Sequence, residues 1–131
     1  MDRIMLIGKN KGFTLIELLV VLTIIILLAG IVAPVTITSI KKAKESALKQ
    51  NLYIMRKAIN DFYEDKGYYP EDIEQLVKEK YLRKIPKNPF ADSEDGWVFI
   101  FGENEENKRG IIDIKSGYEG KSSDNEYYQE W

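Results

Sequence analysis

A run of about 23 residues, positions 13–35, constrains this chain most, because it carries a single charged side chain and is long enough to span a membrane. Its sequence is FTLIELLVVLTIIILLAGIVAPV. As a helix the run would rise about 35 Å, whereas the hydrocarbon core of a bilayer is roughly 30 Å thick. A secretory signal peptide has a shorter apolar region, of about 7 to 15 residues, before its cleavage site. We therefore predict a membrane-inserting helix that the mature protein retains.

Basic residues flank this apolar run on both sides. They are Arg3, Lys9 and Lys11 before it, and Lys41, Lys42 and Lys44 after it. The first group favours a cytoplasmic N-terminus, but the second group nearly balances it, so charge alone leaves the orientation open. The second group could bind anionic lipid headgroups or could form a solvated helix face.

Glu17 is the one charge within the apolar run. A carboxylate deep in the membrane costs roughly 2.5 to 3.5 kcal/mol, so it needs a partner or a route to the interface. In one interpretation the side chain extends into the headgroup region. In the other it pairs with a positive group on another copy of the chain. The spacing of the residues does not distinguish the two.

The composition excludes most catalytic constellations. The 131 residues include no Cys and no His, which removes disulfides, thiol nucleophiles, the usual zinc sites and the commonest general base. Acidic residues cluster in two polar segments, as Asp92, Glu94 and Asp95, and as Glu103, Glu105 and Glu106. Such clusters are usually solvated. We therefore expect that the protein is not an enzyme. A membrane-anchored enzyme that uses these paired carboxylates is the alternative hypothesis.

The string Lys11-Gly12-Phe13-Thr14-Leu15-Ile16-Glu17, followed by the apolar run, resembles the prepilin signature of type IV pilins and the pseudopilins of type II secretion. The resemblance implies a leader, residues 1–12, that a prepilin peptidase removes between Gly12 and Phe13. It also implies N-methylation of Phe13. Glu17 would then neutralise the N-terminal amine of a neighbouring subunit during assembly.

Beyond Pro34 the apolar residues become periodic, at steps of mostly three and four. They are Ile40, Ala43, Ala47, Leu48, Leu52, Met55, Ile59 and Phe62. This spacing predicts an amphipathic helix over residues 36–66, ended by Gly67 and Pro70. Gly30 and Pro34 weaken the local backbone hydrogen bonding, so we expect a helix kink or a melted turn there. A helix continuous over residues 13–66 would be about 80 Å long.

The head is predicted to be residues 36–131, including the amphipathic half of the helix. Its expected elements are a short helix of two or three turns (70–80), a loop (81–96), two antiparallel strands joined by a long polar loop (97–101 and 110–114), and an irregular tail. Five aromatic residues are expected to cover the small core: Tyr68, Tyr69, Tyr127, Tyr128 and Trp131. The fold class is therefore α+β, a long N-terminal helix packed on a small head, as in pilins.

The head also resembles the major pseudopilin of type II secretion, the G subunit. The strings that carry the resemblance are Tyr68-Tyr69-Pro70, Ile85-Pro86-Lys87-Asn88-Pro89-Phe90 and Asp113-Ile114-Lys115-Ser116-Gly117-Tyr118-Glu119-Gly120. Phe90 departs from this group, which often has Trp-Gly there, and the aromatic ending at Trp131 is also unlike it. The tail offers oxygen ligands for a calcium ion, among them Asp113, Ser116, Glu119 and Asp124. The resemblance implies that calcium binds there through Glu119 and Asp124. The alternative is that these acids are simply solvated, as acids in turns usually are.

These observations predict a structural subunit that polymerises through its N-terminal helix into a type II secretion pseudopilus for protein export. The alternative is a subunit of a type IV pilus, serving adhesion, motility or DNA uptake. The implied partners are other copies of the chain, the prepilin peptidase, an inner-membrane assembly platform and minor pseudopilins. The expected location is the inner membrane, with the head in the periplasm. No basic surface is combined with a stacking motif, so nucleic acid is not an expected partner.

Overall fold

The computed structural model describes residues 12–91 and 93–131. Residues 1–11 of the predicted leader, and Asp92, lie outside the described residues. The chain divides into two compact units, Met1–Ser39 and Ile40–Trp131. We call the second unit the head and describe each unit by itself.

Helix α1 comprises Leu15–Lys66. The part of α1 in the first unit is mostly apolar and every residue of it is exposed, whereas within the head the buried positions recur every three or four residues. The buried residues of α1 are Leu48, Leu52, Met55, Ala58, Ile59 and Phe62. The helix ends at Gly67, which adopts a left-handed φ of 77° while its N–H donates to the Tyr63 carbonyl at 2.8 Å. The predicted stop is therefore confirmed.

Helix α1 continues without interruption through Gly30 and Pro34, so the melted turn expected there is absent. Pro34 lacks the N–H that would bond the carbonyl four residues earlier, and its ring crowds that carbonyl, yet the backbone stays helical on both sides of it. Two threonines around it, Thr36 and Thr38, donate their hydroxyls to the carbonyls of Val32 and Pro34 at 3.0 and 3.1 Å. Such bonds often accompany a gentle bend. The kink itself stays a prediction.

The short helix α2 comprises Ile73–Lys78 and is shorter than predicted. Asp72 caps it by accepting from the Gln75 N–H at 2.8 Å. Before it, the Pro70 carbonyl accepts from the Ile111 N–H at 2.8 Å, which holds this residue against the sheet instead of in a helical turn. After it, Lys80 has a φ of 68°. The start of α2 is thus set by a contact with the sheet and its end by the backbone turn at Lys80, and neither can be read from the apolar spacing.

The head contains one antiparallel pair among the described residues, strands β1 (Trp97–Glu103) and β2 (Arg109–Ser116). Both strands are longer than predicted, and a loop of only residues 104–108 joins them. Asn104 tightens this loop, since its side-chain oxygen accepts from the N–H groups of Glu106 and Lys108. The register shifts after Ile100: Ile100 pairs with Asp113, but Phe101 pairs with Ile111, so Ile112 is the extra residue of a bulge in β2. The extra residue allows both Ile111 and Ile114 to face the core.

The core of the head lies between α1, α2 and the sheet. Its buried members outside α1 are Ile73, Leu76, Leu82, Trp97, Ile111, Ile114 and Tyr128. Tyr68, Tyr69 and Trp131 are half-buried against it, as predicted, and Tyr128 is fully buried. Tyr127 is instead 48% exposed, with the Lys121 ammonium over its ring. The α+β fold class is confirmed, with a long helix and a small head.

Candidate functional site: the helix start, the apolar segment and the tail

Helix α1 begins with a reciprocal pair of hydrogen bonds between Thr14 and Glu17. The Glu17 N–H donates to the Thr14 hydroxyl oxygen, and the Thr14 N–H donates to Glu17 Oε2, each at 3.2 Å. This is a capping box, which satisfies two N–H groups that the first helical turn leaves free. The signal for it, Thr14-Leu15-Ile16-Glu17, is readable in the sequence, but this role of Glu17 was not predicted beside its roles in the membrane and toward a neighbour. Glu17 therefore has a structural role within one chain.

Gly12 and Phe13 lie before the helix, in irregular backbone. Phe13 is 79% exposed, and a Cβ added to Gly12 would meet no atom within 4 Å. The bond between these residues is the predicted cleavage site. Both residues that form this bond are exposed and lie in irregular backbone, as a protease requires of its cleavage site.

Glu17 borders a shallow apolar depression of about 320 Å³. The other lining residues are Phe13, Ile16, Val20 and Val21. A carboxylate at the edge of an apolar surface is a suitable acceptor for an ammonium group, because low surrounding polarity strengthens the attraction between opposite charges. The arrangement is thus chemically able to receive the amine of another chain.

The first unit exposes an unusually apolar surface. An 18-residue window within α1 has a mean hydropathy of 3.1, and none of it is buried in the structure. Leu15 and Ile31 illustrate this surface, with exposed fractions of 85% and 68%. By length and composition the segment can cross a membrane. A surface of this kind needs either lipid or protein to cover it.

The four residues predicted to bind calcium make different contacts in the head. Asp113 Oδ1 accepts from Arg56 Nε at 2.9 Å, and the Ser116 hydroxyl accepts from Asn88 Nδ2 at 2.9 Å. Glu119 and Asp124 are exposed. Among the described residues, no group of three or more acidic side chains converges on one point. Asp113 and Ser116 are thus committed to protein contacts, and calcium binding through Glu119 and Asp124 stays a prediction.

The tail is attached to α1 by Glu45, a contact that the sequence did not predict. Glu45 Oε1 accepts from the Ser123 N–H at 2.8 Å, the Ser123 hydroxyl at 3.2 Å and the Tyr128 hydroxyl at 2.9 Å. Burial raises the pKa of Glu45, but the hydrogen bonds from Ser123 and Tyr128, with the nearby Lys41, lower it by more in total. The carboxylate of Glu45 thus holds the tail in its charged form.

Arg56, about three helical turns after Glu45 on α1, makes a second attachment. Its Nη2 donates to the Ile114 carbonyl at 2.9 Å and to the backbone oxygen of Trp131 at 2.5 Å. With the Asp113 contact, one guanidinium therefore joins the helix, strand β2 and the tail. The tail is irregular, as predicted, with a single 3₁₀ turn at Tyr128–Glu130.

Comparison with known proteins identifies the N-terminal segment. Residues 7–33 match the family model described as the prokaryotic N-terminal methylation motif. This range contains Gly12, Phe13 and Glu17 and most of the apolar run. The motif that the sequence analysis inferred is therefore confirmed, although cleavage and methylation of this chain are not shown by it.

Relatives among curated proteins extend the similarity. The type II secretion system core protein G of Escherichia coli (strain K12) is 28% identical over 100 residues, covering 64% of this chain and 69% of that protein. The protein of the same name from Pseudomonas aeruginosa is 29% identical over 100 residues, covering 64% of this chain and 70% of the relative. The type IV major pilin protein PilA of Myxococcus xanthus is 40% identical over 63 residues, but these cover 48% of this chain and only 29% of PilA. No solved structure matched the chain significantly.

The extent of the first two matches bears on the head. A match to 64% of the chain exceeds the residues of the first unit, Met1–Ser39, so it includes part of the head. The resemblance to core protein G therefore does not rest on the methylation motif alone. The chain has the N-terminal methylation motif of type IV pilin-like proteins and, at 28% identity, the resemblance to type II secretion core protein G that its sequence predicted.

Proposed function

We propose that this chain is a structural subunit, without catalytic activity, that polymerises into a type II secretion pseudopilus and serves protein export. The observation that carries the proposal is the exposed apolar half of α1, which begins at a charged cap and lies within the methylation motif. Water does not solvate such a surface well, so lipid must cover it before assembly and other subunits must cover it afterwards.

Processing comes first in the proposed sequence of events. A prepilin peptidase cuts between Gly12 and Phe13, the leader of residues 1–12 is lost, and the new amine of Phe13 is methylated. The Gly12 side of this bond is exposed and irregular, which supports access by a membrane protease. Before processing, α1 anchors the subunit in the inner membrane with the head in the periplasm.

Assembly follows through Glu17. In the isolated chain its Oε2 accepts from the Thr14 N–H at 3.2 Å, and both residues are exposed. A bond this long between exposed groups is weak, so a protonated amine from a neighbouring subunit can compete for the carboxylate. The proposed filament thus replaces a local cap by a contact between chains, with the assembly platform and minor pseudopilins as partners.

A type IV pilus subunit is the second candidate, and the similarity to PilA of Myxococcus xanthus favours it. That similarity covers only 29% of PilA, whereas the matches to core protein G cover about two thirds of the relatives. The genes adjacent to this one separate the two candidates. A secretin and a secretion ATPase with minor pseudopilins favour the pseudopilus, and a retraction ATPase favours the pilus.

Intact-mass analysis of membrane-purified protein tests the processing step. In cells with a prepilin peptidase we expect a chain that begins at Phe13 and carries one additional methyl group, and in cells without the peptidase we expect the uncut chain. A chain that keeps residues 1–12 beside an active peptidase, or one cut after Ala33 instead, contradicts the proposal.

A further inference from the structure

We propose that Lys41, Lys42 and Lys44 form a binding surface for anionic phospholipid headgroups, which holds the unassembled subunit at the membrane. The proposal rests on the membrane anchoring described under the proposed function. It goes beyond it by naming a lipid class and the residues that recognise it.

Charge along α1 is strongly uneven in this region. Residues 36–60 contain six Lys or Arg and one acid, Glu45, and residues 61–66 add three acids and one Lys. The part of the chain beyond residue 66 is acidic instead, with fifteen Asp or Glu and nine Lys or Arg. The basic residues are therefore concentrated on the segment that immediately follows the apolar run.

Three of these six basic residues have partners within the head. Arg56 contacts Asp113, Lys57 pairs with Asp61 at 2.7 Å, and Lys49 lies 4.4 Å from the ring centre of Trp131. The other three are Lys41, Lys42 and Lys44. All three are exposed, and in the described part of the chain no carboxylate lies within 4.0 Å of their ammonium groups.

The nearest acid in sequence, Glu45, uses one of its two carboxylate oxygens to bind the tail. Its Oε1 accepts three hydrogen bonds from Ser123 and Tyr128, although Lys41 is close enough to influence it. The charges of Lys42 and Lys44 thus have no counterpart of their own within the head. A surface that presents unpaired ammonium groups attracts phosphate oxygens.

The position of the three lysines selects the source of that phosphate. They follow Val35, the last residue of the apolar run, by only six to nine residues, which is about 9 to 14 Å of helix. This distance keeps them near the headgroups when the run spans a bilayer. Basic residues on the side of a span opposite its leader also oppose the positive-inside rule. Anionic lipid binding gives these residues a function that offsets this disadvantage.

The test uses the full chain in nanodiscs of phosphatidylcholine with a minor share of phosphatidylglycerol. Spin-labelled forms of each lipid report, by electron paramagnetic resonance, which lipid is immobilised next to the protein. Because one lysine near an anionic surface increases affinity about five-fold, we expect a clear preference for phosphatidylglycerol. The triple variant Lys41→Gln, Lys42→Gln and Lys44→Gln should lose most of it, and concentrated salt should weaken it in the parent chain.

The matched control removes the same number of charges elsewhere, as Lys78→Gln, Lys84→Gln and Lys87→Gln, all exposed on the head. We expect this control to keep the lipid preference. Equal lipid preference in the parent chain and the Lys41/Lys42/Lys44 variant overturns the proposal. Equal lipid preference together with loss of filaments in that variant would show that the lysines contact a neighbouring subunit instead. Membrane insertion and cleavage after Gly12 are measured separately, so a failure of the proposed function can be told apart from a failure of lipid binding.

Discussion

Replacing Glu45 by alanine should destabilise the head, because this one carboxylate oxygen accepts three hydrogen bonds from the tail. The three donors differ in what they lose. Ser123 is exposed and can bond to water instead, whereas Tyr128 is 1% exposed and its hydroxyl has no other partner in the described structure. The loss at Tyr128 therefore dominates.

The expected size follows from that hydroxyl. Leaving a buried polar group without a partner costs about 1 to 3 kcal/mol, so we expect Glu45→Ala to lower the free energy of unfolding by about 2 kcal/mol. For a domain of this size that corresponds to a fall in Tm of about 8 to 16 °C. Glu45→Gln keeps an acceptor oxygen and should cost less than Glu45→Ala.

Urea unfolding of the full chain in detergent, followed by the near-ultraviolet circular dichroism of Trp97 and Trp131, measures this. Glu64→Ala, which removes an exposed acid from the same helix, is the matched control and should change stability little. The Tyr128→Phe background supplies the decisive comparison. Glu45→Ala should cost about 1 kcal/mol less there, and full additivity of the two substitutions would refute the proposed contact.

The pH dependence of stability gives the same contact a second readout. The pKa of Glu45 is below its ordinary value of 4.5 in the folded chain, so its contribution is present above pH 4.5 and is lost as the pH falls through the folded pKa. Glu45→Gln should remove this part of the acid sensitivity. An unchanged acid profile in Glu45→Gln would contradict the assignment.

Three further predictions concern the head. Asn88→Ala should lower the free energy of unfolding by about 2 to 4 kcal/mol, because Asn88 is fully buried and its side chain makes hydrogen bonds with Gly96, Ser116 and Phe90. Chemical denaturation measures this loss, and a change under about 0.5 kcal/mol would refute the prediction. Ultraviolet absorbance titration should find two of the eight tyrosines with a pKa of about 12: a hydrogen bond to Asp65 raises the pKa of Tyr81, and burial followed by the bond to Glu45 raises that of Tyr128. Because folding favours their protonated forms, stability should fall as the pH rises from 10 toward 12, and ionisation of all tyrosines near pH 10 would contradict this. A calcium site at Glu119 and Asp124 predicts a higher Tm in calcium than in EGTA, equivalent to about 2.7 kcal/mol at a hundred times the Kd, and loss of that difference in Asp124→Ala; equal Tm values in the parent chain would remove the site.

Much of the fold could be predicted because its elements have strong local patterns. The apolar run and the periodic stripe through Leu48, Leu52 and Phe62 indicate one long helix, and Gly67 ends it where expected. The two β-rich segments likewise predict a hairpin. The errors lie at element ends, where a single contact decides, such as the bond between Pro70 and Ile111 that shortens α2.

The attachments of the tail could not be predicted, for a different reason. Glu45 and Tyr128 are 83 residues apart in sequence, and no motif or periodic pattern links the two. Arg56 and Trp131 are 75 residues apart. Such a contact forms only where the tertiary fold brings two distant parts of the sequence together. The capping box of Thr14 and Glu17 was readable, because its signature is contained in four consecutive residues.

Filament formation is the central claim, and shearing of intact cells that contain a matching secretion apparatus tests it most directly. We predict that pelleted filaments contain this chain beginning at Phe13, and that Glu17→Val abolishes them while membrane insertion and the folded head are unchanged. Thr23→Val, which removes a polar group from the same apolar segment, is the control and should still assemble. Undiminished filaments from the Glu17→Val variant would show that Glu17 only caps its own helix, and a parent chain that never leaves the membrane fraction would contradict the account as a whole.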